Sequence, residues 1–328
     1  MGQRMPSIFD DPPPGVRAEL EALGRALDRE IPRKRPGENL LIATWNLRAF
    51  GSLTRKWTAG KRDSPKRDLR ALRAIGEIVG RFDVVAIQEV VGNLRALRSL
   101  MKLLGERWAF LMTDVTRGAA GNNERMAFVF DLERVQPSGL ACELVVPPEW
   151  LAEVDERALR SQFARTPYAV SFRSGKATFI LVTLHVDYGK SSADRIPELR
   201  TLGRWMADWA EQSNRWHHNL LTLGDFNIDR RDDVLWQAFT ATGLTVPEDL
   251  HRVPRSIFAD PGRPTTEKYY DQIAWFERGD SRLLSMTYLG GGGFDFVPHL
   301  YRDAELTRTS ISYRLSDHYP LWVEFALD

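Results

Sequence analysis

Apolar residues fall into two rhythms along this chain, short unbroken runs and helically spaced singles. Leu40-Leu41-Ile42-Ala43-Thr44-Trp45 and Val84-Val85-Ala86-Ile87 are runs of strand length. Met126 to Phe130, Tyr168 to Phe172, Thr178 to Leu184, Leu220 to Leu223, Gln272 to Phe276 and Leu321 to Phe325 read the same way. Between the first two runs, Leu69, Leu72, Ile75 and Val79 mark a helix, and Leu94, Leu97, Leu100, Met101 and Leu104 mark the next. A longer helix carries Leu199, Leu202, Trp205, Met206 and Trp209. Many strands with few interleaved helices predict two packed sheets with helices outside.

The N-terminal stretch differs. Residues 1–14 are polar, contain Asp10-Asp11 and Pro12-Pro13-Pro14, and read as a disordered or extended leader. Val16, Leu20, Leu23, Leu27 and Ile31 then predict an amphipathic helix, lying either on the main body or on a partner. Pro32 to Gly37 ends it. The division expected is a leader and helix over 1–38 and one large domain over 39–328. The run Gly290 to Gly293 reads as a flexible loop, without the lysine and hydroxyl of a nucleotide P-loop.

Composition narrows the class. Of 328 residues, 43% are hydrophobic and 27% charged, enough for a large core, and the formal charge is +1. Attraction to a polyanion must therefore come from local patches. One such patch is the segment from Arg55 to Arg70, with Arg55, Lys56, Lys61, Arg62, Lys66, Arg67 and Arg70 against Asp63 and Asp68, and Trp57 among them. It is either a solvated face or a grip on a nucleic-acid backbone. Cys142 is the single cysteine, so no intrachain disulfide forms. With no apolar signal region and no run of membrane-spanning length, the expectation is a soluble, cytoplasmic protein without a transmembrane segment or an obvious protein partner.

Polar residues recur where strands end. Asn46 follows Ala43-Thr44-Trp45, Glu89 follows Ala86-Ile87-Gln88, and His185 follows Val182-Thr183-Leu184. Asp225 and Asn227 follow Leu223, Asp271 precedes Ile273, and Asp317-His318 precede Leu321. Singly, each is a turn residue or a cap. Together, carboxylate, amide and imidazole held at strand ends suit a hard divalent cation acting on a phosphate ester. His217, His218, His251 and His299 fit no motif and read as surface or structural residues.

Seven ordered segments carry a resemblance. They are Ile42-Ala43-Thr44-Trp45-Asn46, Asp83 to Val90, Glu124 to Phe130, Thr183-Leu184-His185, Gly224-Asp225-Phe226-Asn227, Tyr270-Asp271-Gln272-Ile273 and Ser316-Asp317-His318-Tyr319-Pro320. Phe163 to Pro167 and Phe294-Asp295-Phe296 add weaker matches. The chain resembles the endonuclease/exonuclease/phosphatase superfamily, most closely its deoxyribonuclease I branch, over roughly residues 39–326. The resemblance implies an α/β four-layer sandwich of two central, mainly antiparallel β-sheets flanked by helices.

It also implies roles. Glu89 is the expected main metal carboxylate, Asn46 a neutral oxygen ligand and Asp317 a further ligand, for Mg²⁺ with Mn²⁺ or Ca²⁺ as alternatives. His318 is expected to pair with Asp271, and His185 with Glu124, as a base and an acid whose assignment stays open. Asp225 and Asn227 bind the scissile phosphate, form an Asx turn, or do both. Arg165 is either a phosphate clamp or a salt-bridge partner. Arg55, Lys56, Lys61 and Arg62 are candidates for backbone phosphates.

The departures matter too. The disulfide of secreted relatives has no counterpart here, and Val91 stands where the closest branch carries a minor-groove arginine. Val186-Asp187-Tyr188 follows His185, where that branch has a small residue. The function expected is a metal-dependent phosphodiesterase, a DNA endonuclease leaving 5′-phosphate and 3′-hydroxyl ends. The alternative is a phosphoinositide, sphingomyelin or other phosphoester hydrolase, for which Trp150-Leu151 is the candidate membrane hairpin. His185 counts against an abasic-site repair enzyme, and the full set of polar residues counts against a non-catalytic module.

Overall fold

Apolar runs become strands whose alternate residues go to opposite faces. The computed structural model describes residues 4–116, 122–147, 163–215, 219–260, 262–263, 267–278, 281–282 and 284–327. In β1 (Asn39–Asn46), Leu40 and Ile42 face the second sheet, while Leu41, Ala43 and Trp45 face the helices. Two cores result, one between the sheets and one under the outer helices of the first sheet.

The first sheet contains β1, β2 (Val84–Val91), β3 (Trp108–Met112), β4 (Glu124–Asp131), β12 (Thr287–Gly293) and β13 (Leu321–Ala326), in the order β12-β13-β1-β2-β4-β3. The second contains β5 (Gln136–Glu143), β6 (Tyr168–Ser174), β7 (Ala177–His185), β8 (Asn219–Ile228), β10 (Tyr269–Arg278) and β11 (Ser281–Arg282), in the order β11-β10-β8-β7-β6-β5. The short β9 (Leu244–Thr245) pairs with β10.

Both sheets follow one scheme. Each has a single parallel pair at its centre, β1 with β2 and β7 with β8, and antiparallel neighbours on either side. No sequence period announces this. The two parallel pairs face each other, and Gln88 links them by donating to Thr44 Oγ1 at 3.1 Å and to Thr183 Oγ1 at 2.9 Å. That buried polar link lies directly beneath the strand ends that carry the candidate site.

Helices cover the outside. α1 (Pro14–Glu30), α2 (Leu69–Val79) and α3 (Arg95–Leu104) lie over the first sheet, with Leu23, Ala26 and Leu27 of α1 fully buried. Asp68 caps α2 by accepting from Ala71 N at 2.9 Å. α4 (Ser192–Arg215) and α5 (Val234–Thr240) cover the second sheet, and α6 (Arg308–Ser312) precedes β13.

Two sequence expectations need correction. Of the two readings of the leader, the disordered one fails over residues 4–13: Ile8 is buried, and its carbonyl accepts from Arg73 Nη2 at 2.5 Å. The glycine run is not a flexible loop but part of β12, paired with β13 from Thr287 to Gly293. A Cβ on Gly291 would meet Leu250 Cδ2 and Trp322 O at 2.9 Å, and one on Gly293 would meet Val253 Cγ1 at 2.6 Å. Glycine is used there for clearance.

Candidate active site

The parallel pairs deliver four polar residues to one place. Asn46 ends β1, Glu89 lies near the end of β2, His185 ends β7, and Asp225 sits opposite His185 in the β7–β8 register. Asn46 Nδ2 donates to Glu89 Oε1 and to Asp225 Oδ2, both at 3.0 Å, joining the sheets across the gap. A register shift between Ile87 and Val90 puts Glu89 at φ 60°, turning its side chain out of the ladder. Its Oε2 then accepts from Ala49 N at 2.7 Å. Arg48, Ala49 and Asn227 also have positive φ, so left-handed backbone concentrates around this one cleft.

Gly224 makes the close approach possible. At φ 150°, a Cβ there would lie 2.2 Å from Leu184 O. The next residue, Asp225, accepts from Asn227 N at 3.0 Å through Oδ1, and Asn227 Nδ2 donates to Val186 O at 2.7 Å. The Asx turn therefore forms, and its side chains also line the cleft.

Two imidazoles flank Asp225. His185 Nε2 is 3.6 Å and His318 Nε2 3.9 Å from Asp225 Oδ2. Each ring is backed by a second carboxylate: His318 Nδ1 lies 2.7 Å from Asp271 Oδ2, and His185 Nδ1 lies 3.0 Å from Glu124 Oε2. Both pairings expected for the histidines are therefore present as contacts. The second is a close charge contact rather than an aligned hydrogen bond.

Burial works against a charged His318, but Asp271 and Asp225 outweigh it and raise its pKa. Burial likewise opposes a charged His185, and Glu124 and Asp225 raise it regardless. Burial also works against Asp225 as a carboxylate, yet the two histidines and the Asn46 amide hold its pKa below the usual range. Asp225 is thus favoured as a carboxylate, and each flanking ring is favoured in its protonated form.

A cleft of about 310 Å³ is lined by Glu89, Glu124, Arg165, His185, Asp225, Asn227 and His318. Its carboxylates, with the Asn46 amide joining two of them, fit a hard cation that prefers oxygen. Glu89, Glu124 and His185 each offer a ligand atom within 4.8 Å of the others. Glu124 is already held by Arg165 Nε at 2.7 Å, which favours the Glu89 and Asn46 side for a cation. Asp317 is close by but outside the cleft wall, held by Arg48 Nη1 at 3.1 Å.

Arg165 is thus both readings at once, a salt-bridge partner of Glu124 and a part of the cleft wall. The basic segment divides differently. Arg67 is buried and donates to the carbonyls of Leu47, Arg48, Ala49, Arg314 and Leu315. Arg70 is buried against Glu19 and Asp303. Both are scaffold. Lys66 donates to Gly60 O and Lys61 O, and Lys56 pairs with Asp63 at 2.7 Å. Arg55, Lys56, Lys61 and Arg62 do not line the cleft.

His251 contacts Glu248 at 3.0 Å and packs edge-on to Trp236, and His299 stacks on Phe294. His217, His218 and Trp150-Leu151 lie outside the described residues. Among the described residues, no helix is long and apolar enough to cross a membrane.

Sequence reasoning assigned no role to several residues around the cleft, Asn122 and Asp187 among them. Tyr188 and Tyr270 line it, and Glu198 of α4 accepts from Asp187 N at 3.3 Å behind it. The departure at Tyr188 and the matched segment that begins at Tyr270 were the available signals. Glu198 gave none, because its helix reads as ordinary amphipathic.

A model of the Endonuclease/Exonuclease/phosphatase family matches residues 43–318. A deoxyribonuclease of Thioalkalivibrio sp. (strain K90mix) is 29% identical over 302 residues, covering 88% of this chain and 71% of that protein. Among solved structures, a conserved protein of unknown function from Enterococcus faecalis V583 superposes with TM-score 0.58 at 16% identity, covering 88% of this chain and 99% of that one. The mannosyl-6-phosphatase Bt3783 of Bacteroides thetaiotaomicron gives TM-score 0.56 at 19% identity, covering 87% and 99%. D. rerio TDP2 complexed with single-strand DNA product gives 0.56 at 14%, covering 88% and 98%. These structural likenesses establish the fold.

Proposed function

The chain belongs to the endonuclease/exonuclease/phosphatase family, and on that premise we propose that it is a divalent-metal-dependent DNA endonuclease leaving 5′-phosphate and 3′-hydroxyl ends. The observation that carries this reading is Asp225 held between two imidazoles, each backed by its own carboxylate, in one open cleft. Phosphodiester hydrolysis needs one proton removed from water and another supplied to the departing oxygen. Two carboxylate-backed imidazoles on either side of one anion meet both needs. The name of the Thioalkalivibrio relative, a deoxyribonuclease, supports DNA as the substrate.

Glu89 and Asn46 would hold the cation, with Asp317 as a further ligand once released from Arg48. The cation, Mg²⁺ or Mn²⁺, supplies Lewis-acid stabilisation of the phosphate charge. The protein's own part is positional. Asp225 and Asn227 orient the scissile phosphate, and Arg165 offers charge-assisted donors from the cleft wall. Asp271 and Glu124 fix the two rings and raise their basicity.

The test is nicking of supercoiled plasmid with Mg²⁺ or Mn²⁺, with and without chelator, beside a His318→Ala control. Metal-dependent nicking by the wild type alone supports the proposal. Absence of nicking, with release of phosphate from a phosphomonoester or a phosphoinositide under the same conditions, replaces it.

A further inference from the structure

Tyr188 is the exposed aromatic in the cleft wall, at 50% exposure, three residues beyond His185. Its ring is fixed on several sides. The Arg195 guanidinium, itself buried, lies 4.6 Å from the ring centroid and covers one face. Arg195 is anchored in turn on Asn227 O and on Asp229 Oδ2. Tyr270 packs against the ring at a steep angle, with centroids 6.4 Å apart and planes at 77°. The exposed face is therefore the one opposite Arg195.

The supporting loop is equally constrained. Asp187 N donates to buried Glu198, and Asp194 Oδ2 accepts from Lys190 N at 2.8 Å and Ser191 N at 2.9 Å. Gly189 turns the chain at φ 62°, where a Cβ would meet Asp194 Cβ at 2.8 Å. A large flat ring is thus held rigid beside the phosphate-handling groups, with one face left open. Neighbouring Tyr270 cannot serve in its place, since its ring lies against His318 at 5.5 Å and below Lys268 at 5.7 Å.

We propose that the open face of Tyr188 is a stacking platform for one unpaired nucleobase next to the scissile phosphate, so that single-stranded or frayed nucleic acid is bound in preference to stacked duplex. The proposal rests on the nuclease reading above. A base inside a duplex is already stacked on both faces and must be extruded before it reaches the tyrosine, at a cost of a few kcal/mol. A single strand has no such cost, and every base presents a face, so the platform selects strandedness rather than sequence. Exposed Lys190, two residues further along the chain, adds a positive charge for flanking phosphates.

The experiment compares wild type, Tyr188→Ala and Tyr188→Trp on three oligonucleotides of equal length. One is single-stranded, one is the same strand in duplex, and one is a single strand whose central residues are tetrahydrofuran abasic sugars. In wild type, the base-bearing single strand is expected to have a KM roughly 5- to 150-fold lower than the abasic strand, the range for one base–aromatic stack. Tyr188→Ala collapses that ratio toward one, and Tyr188→Trp restores it. Quenching of 2-aminopurine in the bound single strand, with chelator present to prevent turnover, is lost in Tyr188→Ala and kept in Tyr188→Trp. An unchanged KM ratio or unchanged quenching in a folded Tyr188→Ala protein overturns the stacking role and leaves the nuclease reading intact. A wild-type enzyme that neither cuts nor binds any of the three strands overturns the nuclease reading itself.

Discussion

Trp45 donates its indole N–H to the main-chain carbonyl of His318 at 2.9 Å. The residue after Trp45 is Asn46, so this bond ties the end of β1 to the segment that presents the imidazole. Ser316 strengthens the tie by donating to Asn46 O at 2.5 Å. Trp45→Phe removes the donor and leaves a buried carbonyl unsatisfied, at about 1–3 kcal/mol. Urea unfolding should report that loss, and plasmid nicking should show kcat falling more than KM rises.

His318→Ala should lower kcat/KM for nicking roughly 10²- to 10⁴-fold, the range for loss of a positioned acid or base. Asp271→Asn keeps the shape of the pair but removes the charge that favours the imidazolium. In metal-free protein, the His318 ring should then titrate lower, read from its imidazole proton shifts. The sign for stability follows. A raised histidine contributes fully below pH 6.5 and loses its contribution as pH rises through its folded value of about 10. Asp271→Asn should flatten that alkaline decline.

Glu198 gives a decline of the same sign over a lower pH range. Burial behind the cleft pushes its carboxyl up to about 7 from 4.5. Between those values the folded state holds a proton that the unfolded chain has released, so stability falls as pH rises and levels off above the upper one. The decline should be on the order of 3 kcal/mol. Glu198→Gln retains an acceptor for Asp187 N and should remove the slope, seen in thermal melts from pH 4 to 8.

Glycines in the two sheets should differ sharply. Gly224→Ala forces a Cβ to 2.2 Å from Leu184 O and demands an unfavourable backbone angle, whereas nothing lies within 4 Å of a Cβ on Gly290. The first change should cost more than about 3 kcal/mol and abolish nicking, and the second should stay within about 0.5 kcal/mol of wild type. Denaturant midpoints and activity measured together will separate them.

The basic segment offers the same kind of contrast. Arg67→Ala strips charged donors from five buried or half-buried carbonyls and should destabilise by on the order of 3 kcal/mol. Arg55→Ala and Arg62→Ala change exposed side chains and should leave melting within about 0.5 kcal/mol of wild type. If these two exposed arginines grip a nucleic-acid backbone, the salt dependence of DNA binding will become shallower in those variants.

What the sequence made legible was whatever follows from burial. Strands β1, β2, β4, β7 and β8 announce themselves as apolar runs because both faces are covered. The polar residues at their ends stand out against those runs, which is how Asn46, Glu89, His185 and Asp225 were found. β5 escaped because an edge strand reading Gln-Pro-Ser-Gly-Leu-Ala-Cys-Glu has no apolar alternation to betray it. β12 escaped because its glycines make room for Trp322 and Leu250, and clearance leaves no hydrophobic signature. Charge was the least legible. The residues from Arg55 to Arg70 look alike in a string, yet only the fold decides that Arg67 points inward and Arg62 outward. Ile8 makes the same point, an isolated apolar residue whose docking depends on a groove formed far along the chain.

Because each parallel strand pair contributes half of the polar groups, turnover works as an alignment gauge for the two slabs of this sandwich. A slip of one slab over the other by a single ångström would part Asn46 from Asp225 while both hydrophobic interiors stayed dry. Inactivation on warming should therefore precede melting, and ligands that bridge the slabs should narrow the interval between the two.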